Sequence, residues 1–405
     1  MLIEKCRISG SKNLKPILDL GHQPLANSLK SFAEDNEEKF PLRISFCEES
    51  SLVQLDYTIN KKRLFDKYIW VTGTSETANA YADRFCNDIL AKTQLKNNDL
   101  IIEIASNDGT FLKPFIKKGF VNTIGVDPAK NIAEKANKDG IKTIAEFWNY
   151  SISNEIKKNY GAAKIVFARN VIPHVSELHD VTKGIKNIID DNGIGVIEFH
   201  YAGKILKDLQ YDSIYHEHLC YFSIKSITYL LNLYGLYPFD IFKSPISGGS
   251  LVILFSKNKK NKTSNLVNYE LNEKESNINS IDSWKSFAKL SHEHKIKTIN
   301  ILRSLKGQRI IGFGSSARSQ TYINYCSITS KQIKFIIDNN PLKQNLFTPG
   351  SSIPIVSLEK GLAFKPDYIF IFAWNFKDEI MKICRENNFN GKFILPFPNI
   401  PNEIE

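Results

Sequence analysis

At 405 residues the chain is too long for one ordinary hydrophobic core and predicts two or three domains. Its composition is that of a soluble protein, 42% apolar and 24% charged, and its longest apolar runs, such as YIFIFAW at 368–374, fall far short of the roughly 20 residues that cross a bilayer. The net charge of +10 comes from scattered lysines, with only SKNKKNKT (256–263) as a cluster; this argues against a dedicated nucleic-acid surface and suits a small anionic substrate such as a nucleotide diphosphate.

The N-terminal MLIEKCRISG has no apolar signal core, so a cytoplasmic protein is expected. The six cysteines, at 6, 47, 86, 220, 326 and 384, form no Cys-x-x-Cys pair and read as free, buried thiols.

Residues 1–75 read as short strands and turns. In ILDLGHQPLANSL (17–29), Gly21 and Pro24 are the punctuation, and FPLRISFCEESSLVQLDY (40–57) predicts a strand pair. A helix is expected over 76–95. From about residue 98, strands alternate with helices: DLIIEIA, TIGVD, KIVFARN and GIGVIEFHY are the strands of a parallel sheet. The polar stretch 256–305 begins as a linker and ends as an amphipathic helix. A second alternation follows in GQRIIGFGSSARSQ (307–320), KFIIDNN (334–340), DYIFIFAW (367–374) and KFILPFP (392–398). The expected division is therefore 1–75, an α/β domain over 76–260, a helical connection over 261–305, and a second α/β domain over 306–405.

EIASNDG (103–109) closes a strand and opens a helix, and Gly109 allows a positive φ or a close backbone approach. GVDP ends the next strand with Asp127, followed by Pro128, where a carboxylate can accept hydrogen bonds from ribose hydroxyls. The dinucleotide fingerprint G-x-G-x-x-G is absent. The run resembles motif I of class I S-adenosylmethionine-dependent methyltransferases, E-x-G-x-N-D-G, with Glu103 at its start and Ala105 in place of the middle glycine. That resemblance puts Asn107 and Asp108 toward the methionine end, Phe147 of AEFW (145–148) near the adenine, and Arg169 and Asn170 near the sulfonium. The competing reading is an α/β turn that binds nothing.

SIYHEHLCYF (213–222) sets Tyr215, His216, Glu217 and His218 inside an apolar stretch, in a chain with only eight histidines. Either this is a polar seam in a core, or it is a site where a proton moves. On extended backbone Tyr215 and Glu217 would share one face and His216 and His218 the other; a turn would change that.

Several stretches together resemble the S-adenosylmethionine-dependent sugar C-methyltransferases of deoxysugar biosynthesis. They include LGHQPLANSL (20–29), EIASNDGTFLK (103–113), ARNVIPHVSELHD (168–180), YDSIYHEHLCYFS (211–223), GGSL (248–251), IIGFGSSAR (310–318), IDNNPLKQNLFTPGSSIPI (337–355) and DYIFIFAWN (367–375). The resemblance implies three domains: a small N-terminal one, usually zinc-binding; a class I methyltransferase domain; and a Rossmann-like C-terminal domain that helps hold a sugar nucleotide. It implies methylation of a ring carbon beside the 4-keto group of a dTDP-, GDP- or CDP-linked deoxyhexose. Such a carbon must first lose a proton, which calls for a base, a donor for the enolate oxygen, and an aligned methyl group. By resemblance His218 is the base, with Tyr215 and Glu217 beside the sugar; His174 is the candidate for stabilising the enolate or carrying a proton. In the C-terminal unit Arg318 suits a phosphate contact, and Trp374 and Asn375 a base or sugar, or else plain packing.

The chain departs from the family pattern at four places. The two Cys-x-x-Cys pairs of the N-terminal domain read CRIS and CEES, leaving Cys6 and Cys47 with Ser9 and Ser50, so no tight zinc is expected. Trp70, two residues after Tyr68, stands where a tyrosine near the sugar is common. Ser247 and Val252 replace a usual His and Arg around GGSL, and Arg318 replaces a lysine. No membrane or nucleic-acid partner is expected, and the oligomeric state is expected to be a monomer or weak homo-oligomer. The rival readings are an O- or N-methyltransferase, a non-catalytic S-adenosylmethionine-binding scaffold, and a nicotinamide-dependent sugar oxidoreductase.

Overall fold

The computed structural model describes residues 1–60, 64, 72–74, 76–245, 248–398 and 400–404. Trp70, Tyr68 and Ser247 lie outside the described residues.

Seventeen strands follow one another along the described chain. They are β1 (Leu14–Pro24), β2 (Lys39–Cys47), β3 (Val53–Leu55), β4 (Leu100–Ile104), β5 (Thr123–Val126), β6 (Thr143–Ile144), β7 (Ala163–Arg169), β8 (Ile189–His200) and β9 (Cys220–Tyr221). Then come β10 (Tyr237–Lys243), β11 (Ser250–Ser256), β12 (Ile310–Phe313), β13 (Ile336–Ile337), β14 (Ile355–Val356), β15 (Tyr368–Ile371), β16 (Lys392–Leu395) and β17 (Asn402–Ile404).

They build three sheets. The seven-stranded sheet runs β10-β11-β8-β7-β4-β5-β6. From β8 to β6 it is parallel, and each residue of β4, LIIEI, is buried. A parallel strand with helices on both faces has no solvent side, which is why its sequence is an apolar run rather than an alternation. At the other edge β11 pairs antiparallel with β8, and β10 with β11. The short connection 244–249 explains the reversal: it is long enough for a hairpin and too short for a crossover. Gly195 of β8 has no alternative there, because a Cβ would stand 2.1 Å from the Phe255 ring of β11. Read from its parallel edge, this is the strand order of a class I methyltransferase, with the last strand inserted antiparallel.

The six-stranded sheet runs β14-β13-β12-β15-β16-β17, parallel except for β17. It is the second Rossmann-like unit. The four-stranded sheet, β1-β2-β3-β9, is antiparallel, and its last strand comes from far down the chain. Val53 pairs with Tyr221 and Gln54 with Cys220, directly after the YHEH run. The Leu55 amide also donates to the Leu219 carbonyl at 3.0 Å.

The connection over 261–305 is more ordered than a linker. Helix Ser264–Glu275 starts within it, capped by the Thr263 side chain on the Leu266 amide. Glu273, buried, accepts the amides of Ile224 and Lys225 at 2.6 and 3.2 Å and so caps the helix Ile224–Asn232. Helix Ile281–Ser304 buries Trp284, Phe287, Ser291, His294, Thr298 and Leu302, one stripe at helical spacing. A single buried cluster joins Ile44 and Leu55 of the first sheet, Phe199 and Phe222 around the second, and Ile336 and Phe370 of the third. No helix among the described residues is long and apolar enough to cross a membrane.

In the N-terminal sheet Cys6, Ser9, Cys47 and Ser50 still converge. Cys6 Sγ lies 3.2 Å from Ser50 Oγ, and Ser9 Oγ lies 3.5 Å from Cys47 Sγ. Two thiols and two hydroxyls are a poor donor set for structural zinc, which takes four N or S ligands. Among the described residues no group of three or more His, Cys, Asp or Glu could hold a metal ion. The hydrogen bonds among the four side chains tie the two loops together. The Ser9→Cys/Ser50→Cys double variant is therefore expected to take up about one zinc ion per chain, measured by elemental analysis, with a rise in Tm that a chelator reverses. The unaltered chain is expected to hold well under one; full zinc occupancy in it would defeat this account.

Candidate active site

The turn after β4 carries three residues at positive φ: Ala105 (54°), Asn107 (51°) and Gly109 (73°). Ala105 stands where the motif has glycine, and the left-handed conformation costs a non-glycine residue roughly 1–2 kcal/mol. A Cβ at Gly109 would strike the Ile141 side chain at 2.6 Å. Asp127, at the tip of β5, accepts the Asn107 amide at 2.8 Å and the Ala129 amide at 2.9 Å, so it locks this turn to the next one. Burial raises its pKa, with those amides pulling the other way. Asn107 Oδ1 accepts the Thr72 amide at 2.9 Å, and Asp108 Oδ2 accepts the Gly73 amide at 3.2 Å. The segment leading into helix Glu76–Leu90 thus crosses the turn. Pro128 is half-buried, and Phe147 is exposed in the loop after β6, next to the buried Trp148.

Beneath the turn lies a buried charge layer. Glu103 is 3% exposed, its Oε2 has no hydrogen-bond partner, and burial holds its pKa well above the carboxylate range. The nearby Ser106 Oγ is likewise buried without a partner. Arg169 turns away from Glu103 to Glu198: its Nε donates to Oε2 at 2.7 Å, and its guanidinium lies 3.1 Å from the Phe111 ring centre. Ser244 donates to the other Glu198 oxygen at 2.5 Å. Asn170, at φ 49°, donates its amide to the Glu198 carbonyl. Buried, partnerless oxygens on a turn of this shape suit a polar cofactor, and S-adenosylmethionine fits.

YHEH is a turn, closed by the His218 amide on the Tyr215 carbonyl at 2.9 Å. It pairs Tyr215 with His218 and separates His216 from both, so the alternation of an extended strand does not hold. His216 is a core residue: its Nε2–H donates to the Phe40 carbonyl at 3.3 Å, and burial lowers its pKa to about 4. Glu217 accepts both oxygens' worth of contact from Asn27 Nδ2, at 2.9 and 2.8 Å, and burial raises its pKa to about 7 against that amide's pull.

His218 has a defined tautomer. A carbonyl can only accept, so its Nδ1–H donates to the Ser213 carbonyl at 2.9 Å. The neutral ring then has its lone pair on Nε2, which accepts the Tyr215 hydroxyl at 2.7 Å. His174 stands edge-on, ring centres 4.7 Å apart, and donates Nδ1–H to the Glu217 carbonyl at 2.8 Å. His200, at the end of β8, is 6.5 Å away and hydrogen-bonds Gln210 Oε1 at 2.9 Å. Burial lowers His174 to about 4 and His200 to about 3. Burial, with His174 and His200 beside it, takes His218 well below the free imidazole value. Two neutral imidazoles, His174 and His200, thus stand beside the Nε2 lone pair of a third, His218.

Arg318, on the helix Ala317–Tyr325 after β12, and Trp374, on the turn after β15, both reach into this site from the third sheet's unit. The Arg318 fork grips Asp212, Nε to Oδ2 at 3.0 Å and Nη2 to Oδ1 at 2.8 Å, and Trp374 Nε1 donates to Oδ2 at 2.9 Å. The arginine expected to meet phosphate therefore spends its fork on a buried carboxylate. Asn375 is exposed on the same turn as Trp374. Trp70 cannot be placed, since it lies outside the described residues. Sequence reasoning passed over His200, Asp212, Ser213, Glu198 and Asn27. Only His200 left a signal, as the polar end of the apolar run GVIEFHY, where parallel sheets present groups to ligands.

The comparisons agree along the chain. Family models match consecutively: a "zinc binding domain" over residues 6–65, a "Methyltransferase domain" over 77–239, and a "C-methyltransferase C-terminal domain" over 245–398. The chain is 29% identical over 403 residues to C-methyltransferase NovU of Streptomyces niveus, covering 98% of this chain and 96% of that one. Solved structures similar to part of it include an S-adenosylmethionine-dependent methyltransferase of Clostridium acetobutylicum, 14% identical over 49% of this chain and 98% of that one at TM-score 0.37. Another, from Anabaena variabilis, is 14% identical over 44% and 86% of the two chains at TM-score 0.36. Family matches follow one another from residue 6 to 398 and a relative aligns nearly end to end: the chain is an S-adenosylmethionine-dependent methyltransferase, and it is similar to the C-methyltransferases along almost its whole length.

Proposed function

We propose that the chain removes a proton from the ring carbon beside the keto group of a nucleotide-linked 4-keto-deoxyhexose and methylates that carbon. The nucleotide is dTDP, GDP or CDP, and the product serves a surface polysaccharide or a glycosylated metabolite made in the cytoplasm. One observation carries the reading: the Ser213 carbonyl holds the Nδ1 proton of His218, leaving a neutral Nε2 lone pair beside the Tyr215 hydroxyl in a desolvated pocket. Such a ring stays in its basic form throughout the neutral pH range.

In this reading His218 Nε2 takes the carbon-bound proton, and the C–H electron pair passes into the ketone as an enolate. Tyr215, released from Nε2 as the proton arrives, can donate its O–H to the enolate oxygen, with His174 beside it. Glu217 accepts a sugar hydroxyl. S-adenosylmethionine, when bound, supplies an electrophilic methyl group. Glu103, Asn107, Asp108, Gly109, Asp127, Pro128, Phe147 and Asn170 are the residues that would hold it. Residues 306–405 hold the sugar nucleotide, with Trp374 and Asn375 at the mouth.

The test is deuterium exchange. Each 4-keto-6-deoxy sugar nucleotide is incubated with the protein in D₂O, and its ring protons are followed by NMR before S-adenosylmethionine is added. One proton beside the ketone is expected to wash out with one nucleotide, and one methyl to appear on that carbon; His218→Asn is expected to slow the exchange by about 10²–10⁴-fold. Methylation of a hydroxyl-bearing sugar nucleotide without any exchange would show an O-methyltransferase instead.

A second prediction concerns pH. Because His218 is already neutral, the limb of the exchange rate near neutrality belongs to Glu217, placed at about 7. The rate is expected to rise as Glu217 ionises, from pH 6 to 8, and Glu217→Gln is expected to be slower and flat across that window. An unchanged limb in Glu217→Gln would rule this role out.

A further inference from the structure

The Ser213 carbonyl that orients His218 belongs to a single 3-10 turn, Tyr211–Ser213, whose own hydrogen bonds are few. The helix after β12, the turn after β15 and the long helix Ile281–Ser304 hold it. Asp212 is 2% exposed and takes the two-pronged Arg318 contact together with Trp374 Nε1–H. The Ile214 carbonyl accepts Thr321 Oγ1–H at 2.9 Å, from the same helix, Ala317–Tyr325, that carries Arg318. The Tyr211 hydroxyl meets His294 Nδ1 at 2.9 Å, and His294 Nε2–H is fixed on the Pro396 carbonyl at 2.7 Å. Arg318 Nη2 also reaches Gln210 Oε1 at 3.3 Å, the atom that accepts from His200. From 210 to 214, four of five residues are thus anchored outside their own sheet.

We propose that Arg318 is a positioning residue for the base: its fork on Asp212 fixes the Ser213 carbonyl, and through it the imidazole of His218. The helix after β12 then sets the geometry of a proton transfer made by a loop of the second sheet. This rests on the reading of His218 as base, and it gives the C-terminal unit a part in the chemistry beyond holding substrate. Asp212 is almost fully buried and Arg318 16% exposed, so removing the guanidinium strands a buried carboxylate and lets the turn shift. Misplacement by about 1 Å costs a reaction about 10²-fold.

The experiment uses the full chain, S-adenosylmethionine and the sugar nucleotide that wild type exchanges. Arg318→Ala is expected to lower both exchange and kcat by about 10²-fold while KM for the sugar nucleotide stays within about threefold. Millimolar guanidinium is expected to restore part of the rate to Arg318→Ala and none to His218→Asn. Asp212→Asn covers the case in which Arg318→Ala fails to fold, and is expected to show the same split between kcat and KM. The Arg318→Ala/Asp212→Asn double variant is expected to lose no more than the worse single one, because the two act as a unit. Exchange that survives His218→Asn defeats the reading of the base. Exchange lost in His218→Asn but undiminished in the Arg318 and Asp212 variants overturns the positioning role alone. A loss confined to KM does the same, and makes Arg318 a substrate contact.

Discussion

The hydrogen bond from His218 Nδ1–H to the Ser213 carbonyl is the constraint on which the site depends. It settles which nitrogen is basic, and it aims that nitrogen. A neutral histidine left to itself can place its proton on either nitrogen; a fixed carbonyl on one side removes the choice. The Tyr215 hydroxyl then donates to Nε2, and the His174 ring stands edge-on to the same imidazole. A hydrogen bond of this kind is worth only about 1 kcal/mol. The carbonyl must therefore be held by something stronger. Breaking one side of a buried ion pair costs about 3–5 kcal/mol, so the Arg318–Asp212 pair dominates the local energetics.

Desolvation sets the electrostatic character of the pocket. His174, His200 and His218 are all driven toward the neutral form, first by burial. Glu217 is driven the same way, toward neutrality, and ends near the middle of the physiological range. The cationic groups nearby are compensated: Arg318 by Asp212, Arg169 by Glu198. The arrangement carries little net charge of its own. With the N–H groups of His174, His200 and His218 already spent on Glu217, Gln210 and Ser213, the Tyr215 hydroxyl is the neutral donor that could meet charge developing on a bound oxygen.

The sheets were legible where the chain is locally self-consistent. DLIIEIA, TIGVD and KIVFARN became β4, β5 and β7, because a strand buried on both faces must be apolar at each position. The hairpin β10–β11 was not read as strands at all, and its antiparallel pairing with β8 appears only in the fold. The start of the stretch 261–305 looked like a linker because its first helix is polar on most sides, while its end was read as the amphipathic helix it is; the buried acid of the first helix, Glu273, has a partner only in three dimensions.

In the site, the sequence by itself determined the motif turn and the crowding of Tyr215, His216, Glu217 and His218 into an apolar run. Gly109 at positive φ, and histidines in an apolar run, are written into the residue types; the positive φ of Ala105 and Asn107 was not. What only the tertiary structure decided is which residues meet. The turn at 215–218 puts Tyr215 on His218 and sends His216 into the core against Phe40. The chain reversal at β9 brings Asn27 to Glu217 across 190 residues of sequence. Packing of the third sheet against the second turns Arg318 from a phosphate ligand into the partner of Asp212, 106 residues away. The physical reason is common to all three. Hydrogen bonds and ion pairs are short-ranged and directional, so they are specified by where the folded backbone carries each group, and that placement depends on burial summed over the whole chain.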